Sequence, residues 1–160
     1  MTELFEVAEL VRIAVEDERT GVALYTALGE ASKGKDAKTI FQKLVGQERY
    51  HQMRFEGLLE QMGGLKPREN YDGEYLSYLR TLTSTRAFPQ PEDAMKAAGQ
   101  CKTDAECLDM AGRYERDTLA LLVEVAEMVG TKHEAVVMEI VREERAHVVL
   151  LAEARRKLPA

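Results

Sequence analysis

The sequence predicts an all-α protein, a four-helix bundle of two antiparallel hairpins joined by a long crossover. Three observations predict it. Apolar residues recur at alternating steps of three and four along four long segments, and no run alternates as a strand would. Turn signals separate the first segment from the second and the third from the fourth. The 160 residues suit one domain, 1–160, long enough to bury a core without disulfide staples.

The first helix is expected over about 4–31, with Val7, Val11, Ala14, Glu18, Gly21, Tyr25 and Leu28 as its inner seam. The second is expected over about 36–62, with Phe41, Leu44, Glu48, His51, Phe55, Leu58 and Met62. Asp36 can cap it after "SKGK", and Gly63, Gly64 and Pro67 of "GGLKP" close it. The third is expected over about 103–129, with Leu108, Ala111, Glu115, Thr118, Leu122, Val125 and Val129 inside. It begins with the capping box "TDAE", Thr103 to Glu106, and Gly130 ends it. The fourth is expected over about 132–157, with Val137, Ile140, Glu144, His147, Leu151 and Ala154. "TKHE", Thr131 to Glu134, reads as its capping box.

Between the hairpins lies the segment from about 64 to 102, too long for a structureless loop in a compact domain. Short helices are expected in it. "GEYLSYLRTL" puts Tyr75, Leu79 and Leu82 on one side, and Pro91 of "PEDAMKAAG" sits at a helix entry. A segment of that length can run along the bundle, the crossover connection of ferritin-like folds.

The two hairpins repeat each other. Shifted by 96 residues, Phe41 falls on Val137, Leu44 on Ile140, Glu48 on Glu144, Arg49 on Arg145 and His51 on His147. With one residue more, Glu18 falls on Glu115. "QERYH" and "EERAH" thus each place a Glu three residues before a His, and they use two of the three histidines.

Glu18, Glu48, His51, Glu115, Glu144 and His147 break otherwise apolar seams. A buried carboxylate must pair, protonate or bind a cation. Four of them in one core would repel, and two divalent ions offset four negative charges. Height supports convergence. Glu18 and Glu48 lie 15 residues either side of a first turn centred near 33, and Glu115 and Glu144 lie 15 and 14 residues either side of one near 130. Residues equidistant from an antiparallel turn are level, and a His at i+3 shares its Glu's face. One Glu from each of two helices plus Glu-x-x-His from each of the other two is the ligand set of di-iron and di-manganese bundles.

The competing reading is a bundle whose buried glutamates pair with histidine or with Arg49 and Arg145. Tyr25, on the seam two turns past Glu18, either hydrogen-bonds a ligand carboxylate or is plain core. Gln47 and Glu143 face outward or toward a neighbouring helix. His133, in a first helical turn, is expected to be exposed, and Cys107 to be a small core residue. The tyrosines of "NYDGEYLSYL" either cover the bundle or form a contact in a homodimer.

The bulk numbers exclude several classes. A net charge of −6 with no basic stripe excludes nucleic acid as the main partner. No apolar run reaches the roughly 20 residues of a membrane span. "MTELFEVAEL" is acidic and lacks a signal-peptide pattern, and Cys101 and Cys107 match no redox or zinc motif. A reduced, cytoplasmic protein is expected.

The sequence resembles the rubrerythrin-related branch of the ferritin-like superfamily. The residues that carry the resemblance are "EDERTGVALY", "QERYH", "RYERDTLALL" and "REERAH", spread over the four helices. It implies a di-iron carboxylate centre with Glu18, Glu48, His51, Glu115, Glu144 and His147 as ligands. Manganese or zinc would satisfy the same donors. It implies an oxidase or peroxidase reacting with O2 or H2O2. Its alternatives are an iron-handling protein with stoichiometric ferroxidase chemistry and a bundle without catalysis. Rubrerythrins proper carry paired CxxC motifs, a further glutamate where Thr118 stands and a tyrosine where Leu122 stands. No CxxC pair occurs here, so an external electron donor is expected.

Overall fold

The computed structural model describes residues 7–62, 73–88 and 90–159. Among them are six helices and no strand: α1 (Val7–Ala31), α2 (Lys35–Gln61), α3 (Gly73–Ser84), α4 (Pro91–Ala98), α5 (Asp104–Met128) and α6 (Thr131–Arg156). α1 packs on α2 and α5 on α6, giving the two hairpins of the bundle. α3 and α4 are the short helices of the crossover, with Pro91 at the entry of α4. α3 lies against α5 and α4 against α1, where Ala94 and Ala98 are fully buried. Leu79 is buried and Leu82 packs beside it, as their spacing requires. The helix start at 4–6, the closing "GGLKP" and the side chain of Tyr75 lie outside what the structure describes. No described helix is long and apolar enough to cross a membrane.

Periodicity located the helices, but two of the three expected caps differ. Thr103 caps α5 as predicted: its hydroxyl accepts from Glu106 N–H, while Glu106 accepts from Lys102 N–H at 2.7 Å. α2 starts one residue before Asp36, with Gly34 at its N-cap and no side-chain cap. Asp104 holds the turn that leads into α2, its two oxygens accepting from Lys33 N–H at 2.7 Å and Gly34 N–H at 2.8 Å. These turn donors are satisfied from another helix, which local sequence cannot reveal. α6 likewise starts at Thr131, so "TKHE" is not a capping box. Gly130 is its N-cap, at φ 75°, a left-handed angle that a residue with a Cβ adopts poorly. We expect Asp104→Ala to cost about 1–3 kcal/mol, the usual toll of orphaning donors bonded to a charged group. Equal urea midpoints for the variant and the parent would refute this.

The core is split in two. One apolar cluster joins the start of α1, the end of α2, the end of α5 and the start of α6, with Leu10, Phe55, Leu122 and Ile140 at its centre. The other joins the opposite halves, around Leu24, Phe41, Leu44, Leu108 and Leu151. The hairpin turns therefore lie at opposite ends of the bundle. Every seam passes from one cluster to the other through a short polar step, and these steps form one layer.

Candidate metal centre

That layer contains Glu18 from α1, Glu48 and His51 from α2, Glu115 from α5, and Glu144 and His147 from α6. All six are buried, with at most 2% of each residue exposed. Donor atoms of Glu18, Glu48, His51 and Glu144 lie within 4.8 Å of one another, and so do those of Glu48, Glu115, Glu144 and His147. Glu48 and Glu144 belong to both sets, so they stand between two positions, each completed by one further Glu and one His. The imidazole rings stack with centroids 5.7 Å apart.

Both histidines present Nδ1 to the carboxylates. His51 Nδ1 lies 2.6 Å from Glu144 Oε1 and 3.6 Å from Glu18 Oε2. His147 Nδ1 lies 2.9 Å from Glu144 Oε2, 3.3 Å from Glu115 Oε1 and 3.5 Å from Glu48 Oε1. Tyr25 is buried, and its hydroxyl donates to Glu115 Oε1. Burial and the charge of Glu115 hold this phenol well above its ordinary pKa, so it remains a donor.

The electrostatics are those of a crowded acid cluster. Burial raises Glu18 and Glu48 well above the usual carboxyl range, and the charge of Glu144 raises both further. Burial and Glu144 push Glu115 up to about 8. Glu144 goes the other way: burial opposes its charge, but the hydrogen bond with His147 and the close ring of His51 hold it below the usual range. Burial pulls both imidazoles down, yet carboxylate contacts win. Glu144 lifts His51 to about 9, and Glu115 with Glu144 lifts His147 to about 10. Without metal the layer is thus held by protons on acids that would otherwise repel.

This arrangement satisfies the layer incompletely. Both oxygens of Glu18, one each of Glu48 and Glu144, and His51 Nδ1 are buried without a hydrogen-bond partner. His51 Nδ1 and Glu144 Oε1 are close but misaligned for a hydrogen bond, as two ligand atoms are when both face a shared point. Such atoms cost about 1–3 kcal/mol each if left alone, so the donor set fits a pair of divalent cations. The arginine pairing considered from sequence does not occur, because Arg49 and Arg145 are exposed.

Two features escaped the sequence. Asp17 is buried, and it accepts from the Thr118 hydroxyl at 2.8 Å through its carboxylate and from the Tyr114 hydroxyl through its carbonyl. Burial pushes its carboxyl up to about 6 despite that hydrogen bond. A signal existed: Leu10, Ala14, Asp17, Gly21 and Leu24 also step by three and four. His133 is buried, not exposed as expected, because it lies four residues before Val137 on the same seam. Glu143 takes the second of its two expected places, toward a neighbouring helix: its Oε2 lies 2.6 Å from His51 Nε2 of α2.

Gly21 is the other neighbour of consequence. A Cβ there would lie 2.8 Å from Glu48 Oε2 and 3.3 Å from Glu48 Cδ. Gly21→Ala is expected to change metal-free stability by no more than about 1 kcal/mol, since Ala favours the helix. It should weaken metal binding on the order of 10–100-fold, as disturbed ligand support does. Unchanged affinity by calorimetric titration would show that Glu48 needs no such clearance.

Known proteins place this geometry in context. The rubrerythrin family model matches residues 9–155. A crystal structure of a Thermotoga maritima protein, described as a candidate ferritin-like diiron-carboxylate protein, gives a TM-score of 0.69. Identity is 22% and the match covers 98% of each chain, so this likeness speaks for the fold. No curated protein gives a significant match.

Proposed function

The chain belongs to the rubrerythrin family, and on that premise we propose that it holds two iron ions between its hairpins for redox chemistry with O2 or H2O2. The observation that carries the proposal is the pair of buried donor sets sharing Glu48 and Glu144. Glu18 and His51 would complete one position, and Glu115 and His147 the other. Manganese or zinc would find the same donors, and iron is the metal that the family favours. When bound, such a pair supplies two electrons to an oxidant as each ion passes from ferrous to ferric.

The chain's own part is to bind, orient and exclude water. Carboxylates can move between shared and single attachment, and Gly21 leaves space for Glu48 to do so. Tyr25 fixes one oxygen of Glu115, and Glu143 fixes the ring of His51. The apolar clusters above and below the layer exclude bulk water from the acids. Electrons would come from a separate donor. Both cysteines are free, which suits a reducing cytoplasm.

The test is metal content with an optical spectrum before and after peroxide. The ferrous protein should consume H2O2 over many turnovers while an added reductant is oxidised. One stoichiometric oxidation without turnover would favour an iron-handling role. Protein expressed with iron but purified free of metal would end both readings.

A further inference from the structure

The two halves of the centre differ behind their histidines. His51 Nε2 lies 2.6 Å from Glu143 Oε2, so a carboxylate backs that ring. The repeat that relates Glu48 to Glu144 and His51 to His147 relates Gln47 to Glu143. The repeat therefore matches Gln47 to His147 as it matches Glu143 to His51. Gln47 Oε1 and His147 Nε2 are both buried and both without a hydrogen-bond partner, two unpaired groups that this symmetry matches to each other. His51 thus has a carboxylate in contact with its far nitrogen, whereas the residue that the repeat matches to that carboxylate is a neutral amide and the far nitrogen of His147 has no hydrogen bond.

A second difference runs in the same direction. Tyr25 donates to Glu115 Oε1, which draws electron density from that ligand oxygen. The repeat relates Tyr25 to Leu122, so the other half has no such hydroxyl, and both oxygens of Glu18 are free of hydrogen bonds. A carboxylate accepting from the far nitrogen of an imidazole makes the near nitrogen a stronger metal donor, whereas an amide does so weakly. A hydroxyl donating to a ligand carboxylate weakens it.

We infer that the two metal positions are unequal, and that a divalent cation fills the Glu18–His51 position before the Glu115–His147 position. Glu143 and Gln47 are the positioning residues that set this order. The inference rests on the two-metal reading above.

The test uses zinc alone, titrated into the metal-free full chain labelled with 15N-histidine. The His51 signals should move with the first equivalent and those of His147 with the second. Calorimetry should give two steps about 10-fold or more apart. Glu143→Gln should weaken the first step by about 10–100-fold, and Gln47→Glu should tighten the second. The exchanged variant carrying both substitutions should reverse the order, which no merely structural role predicts. Tyr25→Phe should tighten the second step alone, a check that does not depend on the Glu–Gln pair. Two bound ions with both histidines responding together, or an unchanged order in the exchanged variant, would overturn the inference and leave the two-metal reading standing. Failure to bind zinc at all would overturn both.

Discussion

Glu48→Gln is expected to abolish binding at both metal positions, while Glu18→Gln and Glu115→Gln each remove one. The reason is membership: Glu48 and Glu144 lie in both donor sets, and Glu18 and Glu115 in one each. A position left with two carboxylates and one imidazole beside a neutral amide holds its divalent ion much more weakly. We expect metal content per chain after gel filtration to fall from two to near zero for Glu48→Gln, and to one for the other two. Glu48 is the better shared residue to replace. Burial and the charge of Glu144 raise its carboxyl well above the usual range and favour the neutral form, which Gln mimics, so the metal-free fold should be unharmed. Glu144→Gln loses its contacts with His51 and His147 and should cost metal-free stability as well, about 1.5–3 kcal/mol for charge-assisted bonds. Two ions retained by Glu48→Gln would contradict the shared arrangement.

Much of this centre was legible because burial and charge disagree so plainly in the sequence. Glu48, His51, Glu144 and His147 stand at positions where a 3.6-residue period demands apolar side chains, and counting from the turns put the two glutamates of each hairpin level. Those inferences use only helix geometry and the antiparallel hairpin, both local. What stayed hidden is what depends on a partner helix. Nothing near Gly34 in sequence announces that Asp104 takes its N–H, and nothing near His51 announces Glu143. Asp17 was hidden differently. It precedes Glu18, and a helix presents neighbours about 100° apart, so one acid of the pair reads as exposed. α1 buries both because it is covered on several sides, by α2, α4 and α5.

Removing the metals should reverse the sign of the protein's pH dependence. In the metal-free form His51 stands at about 9 and His147 at about 10, both above the ordinary 6.5. A raised histidine contributes fully below 6.5, and that contribution is lost as pH rises through 9 and 10. Glu115, raised to about 8, also binds more protons folded than unfolded, so its part is lost between 4.5 and 8. Glu18 and Glu48 shift in the same direction. Glu144, depressed, contributes above 4.5 and stays constant across this window. Metal-free stability should therefore fall steadily from about pH 5 to pH 10. The loaded form needs ionised carboxylates and neutral imidazoles, so cations release protons and bind more tightly as pH rises. Its stability should instead fall on acidification through the histidine range. At 1,000 times the dissociation constant each ion adds about 4 kcal/mol, hence ~8 kcal/mol for two. For a chain of this size that is roughly 15–30 °C in melting temperature near pH 8. The gap should narrow toward pH 5. Melting curves of chelated and reloaded protein at pH 5.5, 7 and 8.5 measure it directly. A metal-free form whose melting temperature rises with pH would mean that the acids of this layer are not crowded together, and the two-metal centre would lose its physical basis.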